Sequence, residues 1–186
     1  MRLFVALNLP KKEKDRVYRA SKPLRDEGLP VRWVEADTYH ITLKFLGEVR
    51  DQRLEAIGQA LDKVATSNTP LDLKLREFGA FPTIRRPRVL WLGVEPTPAL
   101  RCLKQDIEWA LSDWGFERDT QAFHPHISLG RANAADGAGA FRGLAELAAG
   151  LSCRGGGTVR KIDLMRSRLG KGGASYSVHA SYRLSG

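Results

Sequence analysis

The run Tyr39-His-Ile-Thr-Leu-Lys-Phe-Leu46 decides the fold, because its centre comes back. His40-Ile-Thr-Leu43 returns as His126-Ile-Ser-Leu129, 86 residues on (126 − 40), in a chain of 186. Each half of the chain carries one copy. Both copies read as strands: Tyr39 to Leu46 is β-branched and aromatic and stops at Gly47, and Phe123 to Arg131 is strand-like after its proline. Strand side chains alternate between faces. His40 therefore shares a side with Thr42, and His126 with Ser128, while Ile41, Leu43, Ile127 and Leu129 face the other way, toward a core.

If an approximate twofold axis relates the halves, two imidazoles and two hydroxyls meet around one phosphate-sized centre. Imidazole titrates near neutrality, so a pair of them can divide the acid and base roles. Hydroxyls donate to phosphate oxygens, and Arg131, directly after the second copy, can add charge-assisted bonds as negative charge builds. Strict alternation points Arg131 away from His126, so its part in the site requires a twist or bulge after Leu129. One His-x-Thr alone is a common accident. The duplication, in a chain with only four histidines, is what points to chemistry.

Other readings stand beside this one. The same residues could grip phosphate without turning it over, as a non-catalytic RNA- or nucleotide-binding module. His124 and His126 could form a metal pair, although no third ligand with recognisable spacing follows. His124 otherwise flanks the strand, and His179 sits on the polar face of the last strand. Arg85, Arg86 and Arg88 form a solvated basic loop or a phosphate-gripping one. Trp91, Trp109 and Trp114 suit core or helix-face positions, and Cys102 a structural thiol.

Outward from the repeat, strands are expected at Leu3 to Leu9, Val31 to Val34, Leu71 to Leu75, Arg88 to Val94 and over two closing segments. In the last of these Tyr176, Val178, Ala180, Tyr182 and Leu184 form an apolar face. Helical spacing marks Lys11 to Glu27, kinked or stopped at Pro23. A second helix holds Leu54, Ile57, Leu61 and Val64 with Asp51 as its cap. A third, holding Leu100, Leu103, Ile107 and Leu111, has Thr97 as cap, Pro98 at its first position and Gly115 beyond its end. FPTIRRP is expected as a loop, as is the Ala/Gly-rich run 132–139, followed by a short helix with Phe141, Leu144 and Leu147. This irregular interleaving favours an α+β fold with mostly antiparallel sheets over a doubly wound one. Neither GxGxxG nor GxxxxGK[ST] occurs.

The chain carries 30 Lys+Arg against 21 Asp+Glu, a formal charge of +9, which suits a polyanionic partner. Two distant cysteines, Cys102 and Cys153, form no disulfide framework or zinc pattern and fit a reducing compartment, with cytoplasm the simplest reading. The apolar start is too short for a membrane span and lacks a cleavage site, so no membrane association is expected.

The double motif resembles the two-histidine (2H) phosphoesterase superfamily, whose signature is H-x-[ST]-apolar occurring twice. RLFVALNLP, YHITLKFLGEV, FPTIRRPRVLWLGV and FHPHISLGR are together similar to its RNA 2′,3′-cyclic phosphodiesterase branch, historically called 2′-5′ RNA ligase. The resemblance implies one bilobal domain over residues 1–186, with two mostly antiparallel sheets facing a central cleft, helices outside, and pseudo-twofold lobes. It implies a monomeric enzyme needing neither metal nor cofactor that opens 2′,3′-cyclic phosphate ends of RNA to 2′-phosphomonoesters. In that scheme His40 is the general acid, His126 the general base, and Thr42, Ser128 and Arg131 hold the phosphate. Ser128 stands where Thr is commoner and Gly130 where Ala is frequent. Phe81 and Tyr176 are candidates for stacking on the base.

Overall fold

A computed structural model describes residues 1–133 and 135–186. In chain order the elements are β1 (Arg2–Asn8), α1 (Lys11–Ala20), α2 (Lys22–Asp26), β2 (Val31–Trp33), β3 (His40–Glu48), α3 (Leu54–Thr66), β4 (Leu71–Asp72), β5 (Leu75–Pro82), β6 (Pro87–Val94), α4 (Pro98–Ser112), β7 (His126–Ala132), α5 (Leu144–Gly150), β8 (Thr158–Val159), β9 (Lys161–Gly170) and β10 (Gly173–Arg183). The fold is α+β, with antiparallel strand pairing throughout the described residues. One lobe is the run β10-β9-β1-β3. The other is β7-β6-β5, with β2 against the far end of β7. The two expected sheets are therefore joined into one path, through the single pair Ile41 and Ile127.

That pair is the centre of the molecule. Each Ile directly follows a motif histidine, and an antiparallel pair carries a local twofold axis between its opposed residues. The axis relates one motif copy to the other. Both isoleucines are fully buried in the main core, each worth about 1.5–3 kcal/mol of apolar transfer. Amphipathic helices cover this underside. α3 buries Ile57, Leu61 and Val64, and α4 buries Leu100, Leu103, Ile107 and Leu111, as their spacing predicts. Thr97 caps α4 by accepting from the Leu100 N–H at 3.3 Å.

Bulges fall at the same place in each motif strand. Between β1 and β3, Ala6 opposes Thr42 but Val5 opposes Lys44, so Leu43 and Lys44 both turn into the core and Phe45 returns to the side of Thr42. Between β6 and β7, Trp91 opposes Ser128 but Leu90 opposes Gly130. Leu129 is the extra residue, and Arg131, opposite Val89, returns to the side of Ser128. Gly130 has a packing reason: a Cβ there would lie 2.4 Å from Val31 Cγ1, so its absence lets β2 close onto β7.

The structure corrects several expectations. The strand over Leu71 to Leu75 divides into β4 and β5, and β5 runs through Phe81 and Pro82 because β6 pairs with it. The first helix breaks at Ser21, whose hydroxyl donates to the Val17 carbonyl at 2.8 Å. Asp51 starts a 3₁₀ turn rather than capping α3. A bulge at His179 puts Val178 opposite Met165 and Ala180 opposite Leu164, so the apolar alternates of β10 switch faces midway. Cys102 is exposed, not a core thiol. Residue 134, within the expected 132–139 loop, lies outside the described residues. No described helix is long and apolar enough to cross a membrane.

Candidate active site

The two histidines are held alike. His40 Nδ1 lies 2.7 Å from the Thr38 carbonyl, and His126 Nδ1 lies 2.7 Å from the His124 carbonyl. In each case the partner is the carbonyl two residues earlier. A carbonyl only accepts, so Nδ1 carries the hydrogen in both rings and Nε2 is left for chemistry, a lone pair when neutral and a donor when protonated. The turn Ala36–Thr38 supplies the first carbonyl, and the irregular segment leading into β7 supplies the second, from His124.

The Ile41–Ile127 register aligns His40 with Ser128 and Thr42 with His126, which gathers all four expected residues on one face across the seam. Arg131 joins that face through the bulge after Ser128, which supplies the departure from strict alternation that its role requires. His124 lies before β7 and contributes its carbonyl. Among the described residues no group of three or more His, Cys, Asp or Glu is placed to hold a metal ion, so the His124/His126 pair gains no third ligand.

Each imidazole is braced by an aromatic pair. Phe4 tilts against His40 with centroids 5.1 Å apart, and Tyr176 meets it edge-on at 5.4 Å. Phe81 meets His126 edge-on at 4.9 Å, with Trp91 at 6.3 Å. Phe81 and Tyr176 therefore pack edge-on against the two imidazoles, and Trp91, expected in the core or on a helix, lies on the cleft side. A Cβ at Gly79 would lie 2.4 Å from the Trp91 ring, so that glycine makes its seat.

Burial is the main force holding the His40 pKa below the usual imidazole value. The Thr38 carbonyl opposes it, and the charges of Lys14 and His126 add to it. The charge of His126 thus reaches the His40 ring. Burial likewise depresses His126, against the His124 carbonyl and helped by the His124 charge. Lys14 donates to the Asp37 carbonyl at 2.5 Å, tying α1 to the turn that orients His40. Asn8, opposite His40 on β1, donates at 2.7 Å to the fully buried Asp163, which also accepts from Ser181 at 2.5 Å.

Phe45 is the residue the sequence reading missed. It stands 73% exposed on the same face, at the position equivalent to Arg131 by the twofold. Both follow their histidine by five residues, a correspondence visible when the copies are aligned. The basic loop carrying Arg85 and Arg86 connects β5 and β6 and is exposed.

Residues 7–91 match the family model described as LigT-like phosphoesterase. An RNA 2′,3′-cyclic phosphodiesterase of Methanothermobacter thermautotrophicus is 31% identical over 186 residues, covering 99% of each chain. The chain belongs to the LigT-like phosphoesterase family. A second protein of that name, from Aeropyrum pernix, is 37% identical over 117 residues, which span 62% of this chain and 65% of the relative. Among solved structures, TT0787 of Thermus thermophilus superposes with a TM-score of 0.82 at 25% identity, over 100% of this chain and 99% of the other. The bilobal arrangement around the double motif is thus that of LigT-like phosphoesterases.

Proposed function

We propose that the protein hydrolyses 2′,3′-cyclic phosphate ends of RNA to 2′-phosphomonoesters, with His40 and His126 as its acid and base. The observation that carries this reading is the matched pair of imidazoles, each with Nδ1 tied to a carbonyl and set across a twofold seam. Neutral His126 takes a proton from water at Nε2 as the water oxygen bonds to phosphorus. Protonated His40 gives its Nε2 proton to O3′ as the P–O3′ bond breaks. The two proton transfers balance, and the rings recover by exchange with solvent. Neither step requires a metal or cofactor, and each role supplies typically 10²–10⁴-fold.

Thr42 and Ser128 donate to the non-bridging oxygens, Arg131 neutralises the charge that builds there, and Phe45 offers an exposed ring to the base. With the 5′-hydroxyl of a second RNA in place of water, the same groups join two ends through a 2′-5′ linkage, O3′ again leaving with the His40 proton. The deciding experiment is product analysis with a nucleoside 2′,3′-cyclic phosphate. A 2′-phosphate product is expected. A 3′-phosphate would reverse the leaving group, and a cyclic end left intact after single turnover would mark a binding module.

Depressed pKa values on both histidines set the pH dependence. The active form needs His40 protonated and His126 neutral. For the free enzyme, kcat/KM is therefore expected to peak on the acid side of about 6.5 and fall through neutrality as His40 loses its proton. Bound phosphate is anionic and favours both imidazolium forms, which moves the kcat profile to higher pH. Coincident profiles, or kcat/KM rising into the alkaline range, would contradict these roles.

A further inference from the structure

Two arginines face each other where β2 meets β7. Arg32 lies directly opposite Arg131. Opposed residues of an antiparallel pair share a face, so Arg32 stands on the cleft side with Arg131, their Cβ atoms about 5 Å apart. Like charges so placed destabilise a sheet. Neither arginine joins an ion pair among the described residues. The Arg32 guanidinium is also seated against the last hairpin. It packs on the β9–β10 turn, where a Cβ on Gly173 would lie 3.2 Å from its Cζ, and Gly173 has φ +115°. One cation of this pair is spoken for by the reacting phosphate, and the other is unaccounted for.

We infer that Arg32 binds the phosphodiester on the 5′ side of the terminal nucleotide, so that this chain selects RNA ends over free cyclic nucleotides. The inference rests on the hydrolase reading above. Its direction follows from the twofold, because Phe45 and Arg131 occupy equivalent positions on opposite sides of the centre. In a nucleoside 2′,3′-cyclic phosphate the base leaves the ribose at C1′ and the 5′ chain leaves through C4′, at opposite edges of the ring. With the base on Phe45, the 5′ phosphate runs toward Arg131 and Arg32. Two successive phosphates then neutralise the two opposed arginines.

The test compares kcat/KM on a nucleoside 2′,3′-cyclic phosphate lacking a 5′ phosphate with that on a trinucleotide ending in the same group. Arg32→Ala is expected to lower the trinucleotide-to-mononucleotide ratio about tenfold and reduce the salt slope for the trinucleotide by about 1. Arg32→Lys should keep part of the preference, and a neutral methylphosphonate at the last linkage should abolish it in the native protein. An equal loss on both substrates would overturn the inference by reducing Arg32 to a clasp on the hairpin, as would an unchanged ratio. If the native protein hydrolyses neither substrate, the hydrolase reading itself fails and takes this inference with it. Turnover of both, with a ratio indifferent to Arg32, refutes the inference alone.

Discussion

His126→Ala and His40→Ala are each expected to lower kcat on a 2′,3′-cyclic phosphate by about 10²–10⁴-fold while melting close to the native protein. Both rings lie on the polar side of the seam, and the apolar contacts that hold the lobes together run through Ile41 and Ile127 beneath them. Removing either ring leaves that core in place. The two variants should part on an altered substrate. With a leaving group acidic enough to depart unprotonated, His40→Ala should recover much of its rate, because the acid is no longer needed, whereas His126→Ala should not. The double variant should be little worse than the poorer single one, since the two groups act in one step. Native turnover in either variant would remove that residue from the mechanism, and equal rescue of both would reverse or dissolve the division of roles.

Glu108→Ala is expected to cost about 3–5 kcal/mol, the typical result of leaving buried charge uncompensated. Glu108 is buried on α4, 2.5 Å from the Lys44 ammonium, and also accepts from Lys104. Lys44 further donates to the Glu117 carbonyl at 2.7 Å. Lys44 reaches this position only because the β3 bulge turns it inward, and the same bulge turns Phe45 outward. The ion cluster therefore supports the cleft from behind. Burial by itself would raise the Glu108 pKa, but the bonds from Lys104, Lys44 and the Asp119 N–H outweigh it and hold the carboxyl below its usual value. A depressed carboxyl contributes stability that is present above its unfolded pKa, about 4.3, and lost as pH falls through the folded one. Denaturant titrations should show the native protein converging on Glu108→Ala as pH falls below that window. A difference under about 1 kcal/mol at neutral pH would show the cluster to be solvated.

What the sequence discloses here depends on range. The motif strands and α4 were legible because period and caps are local properties: Ile41 and Leu43 alternate with His40 and Thr42, and Thr97-Pro98 marks a helix start. The bulges were not legible, since a bulge is defined by a partner strand. Nothing within β7 says that Leu129 will be doubled against β6, and that doubling alone puts Arg131 on the face of His126. The same limit hid the face switch at His179 and the continuation of β5 through Pro82. Phe45 was hidden differently. Its ring reads as core in any hydropathy pattern, and only aligning the two copies residue by residue matches it to the position of Arg131. Gly130 reads as a neutral replacement until Val31 is seen against it.

The lobes share one rung of backbone, Ile41 with Ile127, and the two imidazoles stand immediately beside it. Whatever stands next to a dyad has its counterpart one equal step away on the other side, so both rings take their position from a single rung. A substitution that slides Ile41 against Ile127 would displace the two imidazoles together, in opposite senses, and no repair to one ring alone could restore the spacing.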